Sequence, residues 1–189
     1  MPGCDIPMNT GGWMAASGIQ RELGISNAQL QTLIWKNEKG RFEGTRLRSL
    51  TNGRWHERNE LCHVRSCQGH EIPWVLHSRL QTLVEPQAVG RFSTLCHGTQ
   101  KKYLQSILRF GLLRGGGEYG PKKGDRDVHL SAYTNYDQRA QSGMRFKSEV
   151  LVHLHVDRVL ALGVHIASNG CILSPLAAPA SMISKVCVY

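Results

Sequence analysis

Apolar residues recur at helical spacing near the start of the chain and at strand spacing over much of the rest. Ile19 and Leu23 stand four apart, and Gly24 follows as a natural stop, so the spacing predicts a helix over 14–23. Ser26-Asn27-Ala28-Gln29 has the spacing of a capping box. Leu30, Leu33 and Ile34 then form one apolar stripe, which predicts a second helix over about 27–38. The pattern becomes extended at Arg41-Phe42-Glu43, at Leu61 to Ser66 and at Ile72 to Leu76. Two helices followed by a small antiparallel ribbon suggest a winged-helix-like lobe, although any small α+β unit fits the same pattern.

Residues 83–90, LVEPQAVG, read as a linker, which divides the chain into lobes at 1–86 and 91–189. Short extended pieces recur in the second lobe at 92–97, 127–131, 149–156, 171–173 and 184–189. In 150–156, Val150, Val152, Leu154 and Val156 share one face, and Leu151, His153 and His155 share the other. The two histidines read as strand-surface residues, because no third ligand stands at a useful spacing for a metal. Helices fit at 100–110 and roughly 135–144. The fold class is α+β, with a β-rich second lobe.

Composition narrows the partners. At 189 residues with 41% hydrophobic content, the chain can build a real core. No stretch approaches the ~20 apolar residues of a membrane span. The N-terminus, MPGCDIPMNTGGW, has neither the basic nor the apolar part of a signal peptide. Six cysteines without a Cys-x-x-Cys pair read as reduced thiols of an intracellular protein, cytoplasmic or nuclear, rather than disulfides or a zinc site. Net charge is +9 and uneven. Residues 1–90 hold 10 Lys and Arg against 8 Asp and Glu; residues 91–189 hold 13 against 6. A basic half suits a polyanion such as nucleic acid, because phosphates release counterions when they meet Lys and Arg; a merely basic surface gives the same count. The basic loop at 114–126, RGGGEYGPKKGDR, lacks the Gly-Lys-Ser/Thr of a phosphate-binding P-loop.

Three clusters could do chemistry. In His97-Gly98-Thr99, glycine permits close backbone approach or a positive φ, threonine can cap the following helix, and His97 could bond a ribose. Lys101 and Lys102 in the first turn oppose the helix dipole, a cost that a nearby anion would offset. In HVRSCQGHEI, Arg65 offers a planar fork suited to phosphate, with Gln68 and His70 beside it. Ser142-Gly143-Met144-Arg145 places an arginine at the end of a predicted helix. Each also has a plain reading, as a surface turn, a decorated hairpin or a helix terminus.

Taken in order, RFEGTRLRSL…HVRSCQGHEI, LCHGTQKKYLQSILRFGLL, DVHLSAYT, SGMR and ASNGCILSP resemble the successive motifs of the NAD-dependent RNA (tRNA) 2′-phosphotransferase family, over about residues 12–189. The resemblance implies a winged-helix RNA-binding lobe and an ADP-ribosyltransferase-like NAD-binding lobe. It implies transfer of a splice-junction 2′-phosphate to NAD as co-substrate, giving 2′-OH RNA, nicotinamide and ADP-ribose 1″,2″-cyclic phosphate, with no metal. The expected partner is RNA with an internal 2′-phosphate, such as tRNA, and the expected state a monomer away from membranes. Arg65 and Arg145 match the family's catalytic, phosphate-handling arginines, and Gln68 and His70 would help seat the RNA phosphate. His97, Gly98, Thr99, His129 and Ser131 match its NAD cleft, with Asn169-Gly170 as a bordering turn.

Protein-modifying ADP-ribosyltransferases rely on a late glutamate, whereas this chain has no Asp or Glu after Asp157. The family's N-terminal Arg-His pair, carried on a helix ahead of the matched Gly-Trp, has no counterpart here. Two alternatives to full activity therefore stay open: a non-catalytic RNA- or nucleotide-binding module, and an RNA ADP-ribosyltransferase that stops after step one. The 114–126 loop is also longer than the family's.

Overall fold

The computed structural model describes residues 6–38, 40–69, 72, 74–116, 127–135, 137–140, 144 and 148–189. The chain is α+β and separates into two compact units, Met1–Leu80 and Gln81–Tyr189.

In the first unit, strand β1 (Met14–Ala15) leads into helices α1 (Ala16–Leu23) and α2 (Asn27–Trp35). Strands β2 (Phe42–Thr51) and β3 (Arg54–Ser66) follow, then a single turn, α3 (His77–Leu80). Gly24 ends α1 with φ 63°, the left-handed conformation that glycine adopts without a Cβ penalty, and its N–H donates to the Gln20 carbonyl. The capping box forms as expected: Ser26 Oγ accepts from Gln29 N, and the Gln29 side chain accepts from Ser26 N. Helix α2 stops at Trp35, earlier than predicted. Of its apolar stripe, Leu30 and Ile34 are buried while Leu33 is exposed. Leu30 and Ile34 pack with Ala16, Leu61 and Val64. The ribbon is much longer than the pattern suggested. Strands β2 and β3 pair antiparallel from Phe42–Ser66 to Thr51–Arg54, and β1 covers only His63 and Val64 at the base. Asn52 (φ 52°) and Gly53 (φ 70°) close a two-residue turn, for which Asn-Gly is the favoured pair. The extended segment expected at 72–76 is absent from its described residues. Val75 N donates to the Ile72 carbonyl in a turn, even though burial alternates there, with Val75 buried between the exposed Trp74 and Leu76.

The second unit holds strands β4 (Gln81–Leu83), β5 (Leu95–Thr99), β6 (Val128–Leu130), β7 (Val150–Leu154), β8 (His165–Ala167), β9 (Ile172–Ser174) and β10 (Ile183–Val188). Its helices are α4 (Leu104–Phe110) and α5 (Val156–Leu160). The strands form two antiparallel sheets, ordered β10-β7-β5 and β4-β8-β9-β6. Leu95, Leu130, Val150, Val152, Val159, Leu160, Val164 and Ile172 are fully enclosed in one core. Each such side chain contributes about 1.5–3 kcal/mol of burial. Strand β7 is central in its sheet, so Leu151 is as buried as Val150 and Val152.

Four expectations change here. The predicted linker is part of this unit: β4 pairs with β8, Val84 N donates to the Val164 carbonyl, Val84 joins the core, and Pro86–Arg91 is a 3-10 helix. The strand expected to run to 156 ends at Leu154, and His155 caps α5 instead. The helix expected at 100–110 begins as a 3-10 turn, Lys101–Tyr103. The described residues of 135–144 are turns, because Asp137 Oδ1 accepts from Arg139 N and so competes with helix bonding. Among the described residues, no helix is long and apolar enough to cross a membrane.

Candidate active site

Arg65 sits on β3 opposite Glu43 of β2. Its Nε and Nη2 both donate to Glu43 Oε2, at 3.2 and 2.9 Å. Its Nη1 donates to the carbonyls of Arg79 (2.9 Å) and Gly11 (3.4 Å). The guanidinium also lies 4.5 Å from the centre of the Trp13 ring. A guanidinium has five N–H groups; four are thus engaged within the unit, and the side chain is only 13% exposed. Gln68 is buried nearby in sequence, its carbonyl accepting from Ser66 Oγ at 2.7 Å. His70 and Arg145 lie outside the described residues, as do Ser142, Gly143 and loop residues 117–126.

Of the candidate residues of the second unit, His97, His129 and Ser131 are brought together where two strands meet. Strands β5 and β6 are edge strands of the two sheets, and they meet through one isolated bridge, Cys96–Ser131, with both N–H···O bonds made (2.9 and 2.8 Å). Among the described residues no other backbone pairing joins these two strands. His97 spans the opening: its Nδ1 lies 2.9 Å from the His129 carbonyl. A carbonyl only accepts, so Nδ1 carries the proton; when the ring is neutral, Nε2 is its acceptor nitrogen. Ser131 is buried, and its hydroxyl donates to the Tyr133 carbonyl (2.8 Å) and accepts from Tyr133 N (3.0 Å). Asn169-Gly170 is the β8–β9 turn, with Gly170 at φ 78° and Asn169 Oδ1 accepting from Cys171 N. The antiparallel pairing of β6 with β9 sets Leu130 opposite Ile172, so this turn lies at the Ser131 end of β6.

Two details differ from the sequence expectations. Gly98 does not use a positive φ. A Cβ there would overlap Ser148 Oγ and stand 2.5 Å from Met144 Cγ and 3.1 Å from Ser148 Cβ, so close packing by this chain's own side chains demands the glycine. Thr99 does not cap the next helix; it is the last residue of β5. The anion that offsets the first-turn lysines is internal, since Glu149 Oε2 accepts from Lys101 N at 3.1 Å. Glu149, Tyr133 and Glu43 were not singled out from the sequence, because each acts across a long chain separation or through a turn.

Burial pushes the Cys96 thiol up to about 12, with the nearby Cys187 adding to the effect. Burial, and then the Lys185 charge, hold the His153 pKa below its usual value; its Nδ1 lies 2.9 Å from Thr94 Oγ1.

The family described as RNA 2′-phosphotransferase, Tpt1 / KptA family, matches residues 3–176. The chain belongs to that family. A curated relative, tRNA 2′-phosphotransferase 1 of Mus musculus, is 31% identical over 163 residues, 85% of this chain and 57% of the mouse protein. The chain therefore spans well under two thirds of that relative's length. All the candidate positions from Arg65 to Gly170 fall inside the family match, whereas β10 lies beyond it.

Proposed function

We propose that this chain is an NAD-dependent RNA 2′-phosphotransferase. The family match over residues 3–176 of this chain carries the proposal. The first unit would be the winged-helix-like RNA lobe and the second the ADP-ribosyltransferase-like NAD lobe, acting as a monomer inside the cell on RNA such as tRNA.

The residues at the β5–β6 opening suit NAD. An imidazole acceptor nitrogen on His97 complements a ribose hydroxyl, which is a donor. Asn135 Oδ1, four residues after Ser131, is buried with no partner among the described residues, and a further donor from the ligand would satisfy it. His97, Gly98, Thr99, His129, Ser131, Asn169 and Gly170 would line the NAD side. When bound, NAD supplies the ribose carbon that accepts the phosphate as nicotinamide leaves, on the way to ADP-ribose 1″,2″-cyclic phosphate.

The RNA phosphate is already an anion at neutral pH, so its attack needs no general base. It needs cations that position it and answer the developing charge. Arg65 and Arg145 would fill that role, with Gln68 and His70 helping to seat the RNA phosphate. The Arg65 guanidinium keeps one Nη2 N–H beyond its four protein bonds, and Glu43 and Trp13 hold its plane fixed. A preset donor loses little entropy on binding.

The same network favours a second reading, a binding module without turnover, because Glu43 already neutralises Arg65. Incubation with NAD and a short RNA bearing an internal 2′-phosphate separates the two. Loss of the phosphate with nicotinamide and cyclic product is expected. Retention of NAD and RNA without nicotinamide release would establish the binding module, and adenylate-bearing label left on the RNA would establish a reaction that stops after step one.

A further inference from the structure

We propose that the distal half of the β2–β3 hairpin, residues 45–58, is a second RNA contact that grips a base-paired stem away from the phosphate-bearing nucleotide. The inference rests on the RNA reading above and extends it to the form of the RNA.

The hairpin reaches well past its own sheet. Strand β1 covers only its base, at His63 and Val64. From Thr45 to Glu60, none of the described side chains is buried. From Glu43, opposite Arg65, to Thr51 at the tip is eight residues, about 27 Å of extended strand. A bare two-stranded ribbon is marginal in water, and like charges along it repel. Yet from Thr45 to Glu60 it carries four arginines, Arg46, Arg48, Arg54 and Arg58, against two carboxylates, Glu57 and Glu60.

The charges are sorted by face. Arg48 pairs across the strands with Glu57, and both Arg46 and Arg48 lie 3.8 Å from it. The alternation puts Arg54 and His56 on the opposite face, beside Thr51 and Ser49, with Arg58 following at the bulge. Between Ser49 and His56 that face carries no carboxylate. Arg54 and Arg58 have no ion pair or side-chain hydrogen bond among the described residues.

Cations alternating with hydroxyls match a sugar-phosphate backbone. Double-stranded RNA is recognised through shape, phosphates and 2′-hydroxyls. Single-strand binding instead needs rows of stacking platforms, and among Ser49, Thr51, Arg54 and His56 the one ring is that of His56. The separation from Arg65 makes a length prediction: a trinucleotide reaches only one of the two places, and a stem reaches both.

The test measures binding by the full chain to two labelled RNAs carrying the same internal 2′-phosphate, a stem-loop and a trinucleotide, between 50 and 200 mM salt. With about 0.9 per phosphate contact, R54S/R58S should lower the salt slope on the stem-loop by roughly 2. It should leave the trinucleotide unchanged and keep the wild-type unfolding transition. R54K/R58K should retain the wild-type slope. An unchanged stem-loop slope in R54S/R58S overturns the proposal, as does wild-type binding to poly-glutamate that equals binding to the stem-loop, which would assign the hairpin to an acidic protein. Absence of NAD turnover on the trinucleotide, with the stem-loop slope still responding, would sink the phosphotransferase reading and leave the hairpin contact standing.

Discussion

Gly98 separates two physical roles for a glycine at a ligand-facing strand. If the residue is glycine because the chain packs against itself, Gly98→Ala must damage the fold before it damages binding. The added Cβ meets Ser148 on one side and Met144 Cγ, 2.5 Å away, on the other. Met144 is met at Cγ, close to its own backbone, so it must change χ1 or shift to give way. Ser148 Oγ can rotate, but its Cβ, at 3.1 Å, is fixed to the backbone. Overpacking of this kind costs about 1–3 kcal/mol, against a gain of about 0.5–1 kcal/mol from replacing glycine inside a strand. The net expectation is a destabilisation of up to about 2.5 kcal/mol in urea unfolding, centred a little above 1 kcal/mol. Ser148→Gly added to Gly98→Ala should restore part of it, since the two substitutions share one contact. A Gly98→Ala protein as stable as the wild type, with weakened NAD binding alone, would refute the packing account and return the glycine to the ligand.

Other outcomes follow from the same structure. Glu43→Gln removes the charge that balances a mostly buried guanidinium; it should destabilise the chain by about 1–3 kcal/mol, between the costs of breaking exposed and buried pairs, and an unfolding midpoint equal to wild type would contradict this. His153 has a folded pKa below its usual 6.5. Between that lowered value and 6.5, the unfolded chain binds a proton that the folded one does not. Stability should therefore fall as pH drops below 6.5 and be insensitive to His153 above it; His153→Gln should flatten this part of the pH profile, and an identical profile would count against the reasoning. Cys96, held near 12 and fully enclosed, should resist alkylation of the folded protein at pH 8, while the half-buried Cys62 and Cys187 react first. Mass mapping that finds Cys96 labelled early would contradict it.

Local chemistry was the legible part of the fold. Gly24 and the Ser26–Gln29 box act within a few residues, so their roles survive folding unchanged. Helix α5 was read as more strand because Val150 to Val156 alternate without a break, and only His155 marks the switch. Strands β4 and β8 are three residues each, too short to show a period. At the site, His97 and His129 stood out in the sequence, but their mutual bond depends on two strands 32 residues apart. Arg65 was legible as a phosphate-type arginine. Its engagement by Glu43, Trp13 and two carbonyls was not, because those partners come from three other segments.

Among the described residues, one backbone bridge, at Cys96 and Ser131, and the His97 contact to the His129 carbonyl join the facing edges of the second unit's two sheets. A joint with so few bonds is a natural place for opening fluctuations. A molecule that touches both sides of the gap, at His97 and at His129, acts as an added rivet. The energy with which it binds and the energy with which it holds the seam shut are then one quantity. Amide exchange at Cys96 and Ser131 becomes a gauge of occupancy, slowing in proportion to ligand saturation even where no atom of the ligand reaches those amides.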